Sequence, residues 1–311
     1  MEKIKVLELF GGIGACTKAF ERLGIDFEVV DYVEIDKYAV KSYNAMHNTN
    51  YEPQDIQKWD KNIQVDFIMH GSPCQDFSLA GLQKGGDLGS GTRSSLMYET
   101  IRIVEKLKPK YVVWENVKNV ISKKHKHNFD SYLSKMDELG YTNYWQVLNA
   151  KDFEIPQNRE RVFTVSIRKD IDSGFEFPVG KDLKLKLKDM LEKKVDEKYF
   201  LSEKMMKYVL STGTKNFYYK PEIDLDIARP LTSSMHKSHR AGQDNYVSEP
   251  FIEIRNANKK GFDEAYEGDS VCLAHPNSKT RRGRVGHEVS QTLQCDGLTG
   301  VVVSDTGGQH E

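Results

Sequence analysis

The amino-acid sequence predicts an α/β fold in which a mostly parallel sheet carries helices on both faces. Two observations lead to this prediction. Short apolar runs alternate with amphipathic stretches in the first half of the chain, and a glycine-rich turn follows the first run. No apolar stretch is long enough to cross a membrane, which excludes a membrane-spanning protein. With 311 residues, the chain has room for one large domain and a second, smaller one.

Six apolar runs predict strands, and four amphipathic stretches between them predict helices. The strands are predicted at residues 4–9, 27–33, 65–69, 111–114, 144–148 and 162–167. The helices are predicted at residues 16–23, 37–46, 95–107 and 129–139, and Gly140 closes the last of them. Because ligands bind beyond the carboxyl ends of parallel strands, we expect functional residues in the loops that follow the strands.

The composition of the chain changes after Pro178, where we place a domain boundary. Residues 181–207 are rich in lysine with a helical pattern. Residues 213–308 are polar, with strand-like pieces at 251–254 and 300–303. We therefore predict a first domain over residues 1–178 that contains the sheet. Residues 179–311 should form a smaller, irregular, strand-containing domain.

Charge and cysteine content exclude some classes of protein. The formal net charge is −1, so a nucleic-acid surface must be a local patch, such as residues 123–127 or 281–284. Taken alone, each patch is better explained as a solvated loop. The four cysteines lie far apart without a Cys-x-x-Cys pair, which argues against a disulfide framework or a zinc site. The N-terminus lacks the pattern of a secretory signal, and we expect a cytoplasmic protein without a membrane segment.

The loop after the first predicted strand is rich in glycine. The sequence Phe-Gly-Gly-Ile-Gly at 10–14 lets the backbone approach a ligand at a helix N-terminus, although many cofactor binders share this weak signal. Glu34 ends the second strand, where an acid can accept hydrogen bonds from a ribose diol, while Asp36 is also a suitable helix cap. Asp55 and Ile56 provide an acid and an apolar side chain for an adenine pocket.

The loop after the third strand contains the best candidate for a nucleophile. Cys74 lies beyond the strand end, between Pro73 and polar residues, in a position typical of functional loops. Most single cysteines are inert small hydrophobic residues, so this interpretation depends on position. We expect the glycine-rich residues 81–91 to form a mobile lid.

Two further strands carry charged residues at their ends. Glu115 follows the fourth apolar run, although a lone glutamate there is more often a cap or a surface charge. Arg159 and Arg161 precede the sixth run and, two residues apart, face the same way in an extended chain.

Together these motifs resemble those of bacterial and phage DNA (cytosine-5)-methyltransferases. They are Phe-Gly-Gly-Ile-Gly at 10–14, Pro-Cys-Gln at 73–75, Glu-Asn-Val at 115–117 and Gln-Asn-Arg-Glu-Arg at 157–161, in the order and spacing of that family. The resemblance is strong over about residues 4–168 and weaker beyond. It implies a Rossmann-like domain that uses S-adenosylmethionine and a second domain that recognises double-stranded DNA.

The resemblance also implies a role for each motif. Cys74 adds to carbon 6 of a flipped-out cytosine, which activates carbon 5 to take a methyl group. Glu115 holds a proton on ring N3, while Arg161 and Arg159 bind the base O2 and the loop backbone. The residues expected at the cofactor are Phe10, Gly11, Gly12, Ile13, Gly14, Glu34, Ile35, Asp55, Ile56 and Pro73. Ile35 stands where the family often has a tryptophan.

The loop at residues 71–78, which contains Cys74, is called the nucleophile loop. The resemblance further implies DNA contacts in this loop and beyond it. The expected residues are Gln75, Ser78, Arg281, Arg282, Arg284 and Thr292. For each of the three arginines, a solvated loop is the alternative interpretation.

After the recognition region, the family normally continues with a segment bearing an Arg-Glu pair and then a Gly-Asn-Ser helix, and residues 304–311, which follow that region here, contain neither. We expect that a second polypeptide supplies them or that the chain is an impaired relic that only binds DNA. An enzyme that methylates RNA or a small molecule is the other alternative. A cognate restriction endonuclease is a candidate partner.

Overall fold

The computed structural model describes residues 2–73, 96–192, 195–214, 217–218, 220, 222–232, 235, 240, 242–248, 252–259, 261–266, 268–272, 284–287 and 299–302. The chain divides into two compact units. The first comprises Met1–Lys194 and Asp226–Thr232, and the second comprises Val195–Leu225 and Ser233–Glu311. Residues 226–232 join the first unit because Ala228 exchanges backbone hydrogen bonds with Pro156 and Asn158, both 2.8 Å long. A single boundary after residue 178 therefore does not describe this division.

A six-stranded sheet forms the centre of the first unit. Its strands are β1 (Ile4–Leu9), β2 (Phe27–Val33), β3 (Phe67–His70), β4 (Tyr111–Val117), β5 (Tyr141–Asn149) and β6 (Glu160–Arg168). Their order across the sheet is β2-β1-β3-β4-β6-β5. Strands β1 to β4 pair in parallel, whereas β6 is antiparallel to both β4 and β5. The predicted fold class is confirmed, and the carboxyl ends of β1 to β4 lie at one edge of the sheet.

In the described part of the first unit, four helices accompany the sheet, each close to its predicted position. They are α1 (Ala15–Leu23), α2 (Lys37–His47), α3 (Met97–Leu107) and α4 (Lys126–Glu138). Asp36 caps α2, because its Oδ1 accepts a hydrogen bond from the backbone N of Tyr38 at 2.8 Å. Gly140 follows α4 with a φ of 91°, a conformation that suits glycine and ends the helix as predicted.

The two faces of the sheet pack against different helices. Val6 of β1 lies in a small core with Phe20 of α1, on one face. Its neighbour Leu7 belongs to the main core, which includes residues of α3 and α4. Successive side chains of a strand point to opposite faces, so this division confirms a sheet covered on both sides.

The second unit is built from short strands around a small core. They are β7 (Gly213–Thr214), β8 (Phe217–Tyr218), β9 (Ile252–Arg255), β10 (Phe262–Ala265), β11 (Ser270–Cys272), β12 (Val285–Gly286) and β13 (Thr299–Val301). The core contains Ile254, Ala265 and Val271. The helical pattern predicted at 181–207 yields one helix, α5 (Glu203–Val209), and two 3-10 turns. Leucines at 183, 185 and 187 alternate with polar residues, which does not suit a helix.

Among the residues that the structure describes, no helix combines the length and the apolar character needed to cross a membrane.

Candidate functional site

A cavity of about 320 Å³ opens beside the ends of β4 and β6 in the first unit. Its lining residues are Glu115, Leu148, Asn149, Ala150, Phe153, Arg159, Arg161, Phe163 and Pro178. Apolar and aromatic walls thus surround a carboxylate and two guanidinium groups. Such a lining suits a flat ring that carries hydrogen-bonding groups on its rim.

The charged groups of this cavity form one cluster. The Nε of Arg161 lies 2.8 Å from Oε1 of Glu115, and Nη2 of Arg159 lies 3.8 Å from the same oxygen. The antiparallel register explains the closer pair. Val117 lies opposite Arg161, and Glu115 lies opposite Phe163, so Glu115 and Arg161 are diagonal neighbours on one face. The structure therefore brings together three residues that the sequence singles out for catalysis.

The nucleophile loop begins beside this cluster. A Cβ placed on Gly71 would lie 3.8 Å from Oε2 of Glu115, so the backbone after β3 passes close to the carboxylate. Ser72 is buried, with 3% of its surface exposed, and Pro73 follows it. Cys74, Gln75, Ser78 and the predicted lid at 81–91 lie outside the described residues.

A second candidate surface lies at the carboxyl ends of β1 and β2. The backbone N of Gly12 donates to Oε2 of Glu34 at 3.1 Å, and the hydroxyl of Tyr32 donates to the Gly12 carbonyl at 2.6 Å. Glu34 Oε1 accepts a hydrogen bond from the backbone N of Asp36 at 2.8 Å. Phe10, at the start of the glycine loop, adopts a left-handed φ of 53°. The glycine loop and the acidic strand end thus form one continuous surface.

The adenine-pocket residues predicted after Glu34 divide into two groups. The carbonyl of Glu34 accepts from the backbone N of Gln54 at 2.8 Å, which brings Asp55 close to this surface. Ile56, by contrast, is buried in the main core, and its carbonyl accepts from Arg102 at 3.0 Å. Ile56 therefore packs behind this surface and is not exposed on it.

The composition of this surface fits a nucleoside. Ile13 and Ile35 expose 54% and 68% of their surfaces beside the glycine loop, although both are apolar. Apolar side chains can pack on the faces of an adenine ring, and the Glu34 carboxylate can accept hydrogen bonds from ribose hydroxyls.

Sequence analysis assigned no role to Glu8, a buried carboxyl group behind the glycine loop. Its Oε1 accepts from the backbone N of Thr17 at 2.8 Å and also from the Thr17 hydroxyl. Thr17 lies in the first turn of α1, whose N-cap, Gly14, has no side chain to offer. Burial raises the pKa of Glu8. The acid directly precedes Leu9-Phe10 at the strand end, and this position was the only signal in the sequence.

The DNA-contact residues predicted in the second unit have a different outcome. Arg281, Arg282 and Thr292 lie outside the described residues. Arg284 is only 2% exposed, and its carbonyl accepts from the backbone N of Cys272 at 2.8 Å. Its burial disfavours a direct contact with phosphate, and its predicted role in DNA binding stays a prediction.

Comparison with known proteins gives a family match. Residues 4–287 match the model of the C-5 cytosine-specific DNA methylase family. The type II methyltransferase M2.ScrFI of Lactococcus lactis subsp. cremoris is 37% identical over 253 residues, which cover 64% of this chain and 70% of that protein. The orphan methyltransferase M.Rho11sI of Bacillus phage rho11s is 36% identical over 236 residues, 65% of this chain and 46% of that protein. The chain thus spans about half the length of some curated relatives.

Solved structures share the fold. The methyltransferase EhMeth of Entamoeba histolytica superposes with a TM-score of 0.62 at 19% identity, over 81% of this chain and 77% of that chain. A mutant of DNMT2 from Spodoptera frugiperda gives a TM-score of 0.61 at 24% identity, over 77% of this chain and 73% of that chain. At such identities the likeness concerns the fold alone.

Proposed function

The chain belongs to the C-5 cytosine-specific DNA methylase family, and on this premise we propose that it transfers a methyl group from S-adenosylmethionine to carbon 5 of cytosine in duplex DNA. One observation carries the proposal. Glu115, Arg159 and Arg161 meet in a cavity that adjoins the backbone leading to Cys74.

The cavity is proposed to receive the cytosine after it leaves the duplex. A base stacked in DNA is out of reach, and flipping it out costs roughly a few kcal/mol. Phe153 and Phe163 offer apolar contacts to the ring, and Glu115 can hold a proton on N3 while it accepts from the exocyclic amine. Arg161, fixed against Glu115 at 2.8 Å, can donate to the base O2.

Cys74 is proposed as the nucleophile of the reaction. Its thiolate forms a bond to carbon 6, and the electron pair of the ring double bond moves to carbon 5. The proton held at N3 by Glu115 neutralises the charge that the addition creates. Carbon 5 would then take the methyl group as the bond between that group and the cofactor sulfur breaks, which leaves a neutral thioether. Loss of the proton of carbon 5 to a base, return of the N3 proton to Glu115 and cleavage of the bond between Cys74 Sγ and carbon 6 would restore the aromatic ring.

The cofactor is proposed to lie on the surface at the ends of β1 and β2. S-adenosylmethionine, when bound, supplies a methyl group on a positively charged sulfur. The glycine loop at 10–14 would lie against it, and Glu34 would accept a hydrogen bond from its ribose. Ile13 and Ile35 would flank the adenine, and Asp55 would accept a hydrogen bond from the adenine amine.

The second unit is proposed to read the DNA sequence. Residues Arg281, Arg282 and Thr292, with Gln75 and Ser78 of the nucleophile loop, are the proposed contacts. Exchange of residues 213–300 with those of a relative of different specificity should change the methylated sequence and leave the chemistry intact. An unchanged target sequence after the exchange would contradict this assignment. A cognate restriction endonuclease and a cytoplasmic location stay predictions.

The proposal is tested by methyl transfer from labelled S-adenosylmethionine to duplex DNA and, in parallel, to transfer RNA. We expect label on cytosine in DNA and none above background in RNA. Label confined to transfer RNA would favour the RNA alternative. DNA binding with no label on either substrate would favour a module that only binds DNA.

A further inference from the structure

The backbone that leads into the nucleophile loop is anchored to β4 by two buried side chains. The indole Nε1 of Trp114 donates to the hydroxyl of Ser72 at 3.0 Å. The Nδ2 of Asn116 donates to the Ser72 carbonyl at 3.3 Å. All three residues are almost fully buried, so water cannot replace these hydrogen bonds.

Strand alternation places the two anchors and the catalytic acid on opposite faces of β4. Trp114 and Asn116 point to one side and hold Ser72, whereas Glu115 points to the other and lines the cavity. Three consecutive residues of one strand therefore fix both the carboxylate and the start of the nucleophile loop.

A rigid base supports the anchor. The rings of His70 and Trp114 are parallel within 1°, with centroids 5.8 Å apart. His70 is hydrogen-bonded to the Tyr132 hydroxyl at 3.0 Å and to the Thr100 hydroxyl at 3.3 Å. Trp114 therefore has little freedom to follow Ser72 if the loop moves.

Covalent geometry carries the restraint from Ser72 to Cys74. A held Ser72 carbonyl fixes the planar peptide unit that joins it to Pro73. The proline ring then fixes φ of Pro73 near about −65°. Between the Ser72 carbonyl and the Cα of Cys74, only ψ of Pro73 remains as a soft torsion.

We propose that Trp114 and Asn116 are positioning residues that hold Ser72 and thereby set where Cys74 meets the base. The inference rests on the proposed function and adds to it a specific restraint on the nucleophile. A displacement of about 1 Å at a reacting group can slow a reaction by about a hundredfold, so loss of the anchor should affect the chemical step.

The test uses duplex DNA in which 5-fluorocytosine replaces cytosine, with S-adenosylmethionine present. Fluorine cannot leave as a proton does, so each productive encounter ends as a covalent adduct. The rate constant of adduct formation and its final yield are measured for the full chain and for Ser72→Ala, Trp114→Phe and their combination. A merely destabilised protein loses yield and keeps its rate constant, whereas a mispositioned nucleophile loses rate constant.

We expect Ser72→Ala to lower the rate constant by about three- to tenfold with its yield retained, because it removes the hydroxyl that accepts from Trp114 and leaves the carbonyl that accepts from Asn116. Trp114→Phe, which removes the N–H donor, should lower it about three- to tenfold, in keeping with one hydrogen bond. In the Ser72→Ala background, Trp114→Phe should have almost no further effect, because its partner is already gone.

Thr164→Val is the matched control. Thr164 lies opposite Trp114 on β6, and its buried hydroxyl has no hydrogen-bond partner among the described residues. A rate constant for Ser72→Ala within twofold of the control would overturn the proposal. The proposal would also be overturned if the effects of Ser72→Ala and Trp114→Phe on the rate constant multiplied in the double variant.

Hydrogen exchange separates this inference from the proposed function, since it needs no catalysis. Exchange across residues 66–73 should rise at least about threefold in Ser72→Ala, while exchange over β1 stays unchanged. If the parent chain formed no adduct, the proposed function would fail, and the exchange result alone would decide the anchor. Equal exchange in the parent and Ser72→Ala would overturn it.

Discussion

At the β1–β2 end of the sheet, exposed apolar side chains lie beside a carboxylate that is bonded to backbone N–H groups, whereas at the β4–β6 end charged side chains pair with one another. Both carboxylate oxygens of Glu34 accept hydrogen bonds from backbone N–H groups of its own chain. Glu115 instead pairs with the guanidinium groups of Arg161 and Arg159. The first arrangement suits binding of a cofactor, and the second suits charge that changes during a reaction.

This comparison predicts a division of kinetic effects. Changes at the β4–β6 end should slow the chemical step and leave cofactor affinity alone. Changes at the β1–β2 end should weaken cofactor binding and be overcome by more cofactor.

The largest effect is expected for Cys74→Ala. The variant should transfer no measurable methyl label, because no thiolate is left to add to carbon 6. Its affinity for duplex DNA, measured by fluorescence anisotropy, should stay within a few-fold of the parent. Turnover close to that of the parent would remove Cys74 from the mechanism.

Glu115→Gln should lower the methylation rate by at least about a hundredfold, the lower range for a lost acid–base group. The amide keeps the size of the side chain and can hydrogen-bond, but it cannot deliver a proton as readily. Titration calorimetry should give an unchanged Kd for S-adenosylmethionine. A near-normal rate with weakened cofactor binding would reverse the division between the two ends.

Glu34→Ala should raise the Kd for S-adenosylmethionine by about tenfold, as expected for one charge-assisted hydrogen bond. At saturating cofactor, kcat should remain within about twofold of the parent. Glu34→Gln, which keeps one acceptor oxygen, serves as the milder control. A large loss of kcat at saturation would show that this end also takes part in chemistry.

The effect furthest from catalysis concerns stability and pH. Burial lowers the pKa of His70 from its ordinary 6.5 to about 3. Below pH 6.5, His70 is therefore protonated in the unfolded chain and stays neutral in the folded chain. Stability falls as the pH drops from about 6.5 to about 3. Burial raises the pKa of Glu8, so the folded chain keeps a proton that the unfolded chain releases. Stability therefore falls as the pH rises above the ordinary pKa of a glutamate.

Urea unfolding at several pH values tests this contrast. Between pH 6 and pH 4, the free energy of unfolding of the parent should fall by about 1.4 kcal/mol more per pH unit than that of His70→Gln. This slope corresponds to the uptake of one proton on unfolding. Glu8→Gln should show the opposite change and gain relative stability toward neutral pH. Identical pH slopes in the parent and His70→Gln would mean that His70 is not held neutral.

Local pattern predicted most of the fold and the identity of the charged residues. Strands β1 and β2 match their predicted bounds, because clear turns limit both apolar runs. Strand β4 was predicted to end at residue 114 but continues to Val117 through pairing with β6. Glu115 therefore lies within a strand and not in the loop after it.

Contacts between distant residues could not be predicted in this way. Ser72 and Trp114 are 42 positions apart, and only the parallel pairing of β3 with β4 brings them together. The burial of Arg284 likewise depends on tertiary packing, which a basic cluster in the sequence cannot reveal. Glu8 was overlooked because a helix cap that comes from a neighbouring strand has no local spacing rule.

The central claim is that the cavity and Cys74 together methylate cytosine in DNA. Bisulfite sequencing of plasmid DNA from cells that express the parent or Cys74→Ala tests it most directly, since each protected cytosine marks one methyl transfer. The account predicts protected cytosines within one recurring sequence for the parent and none for Cys74→Ala. The same pattern of protection in both would contradict it.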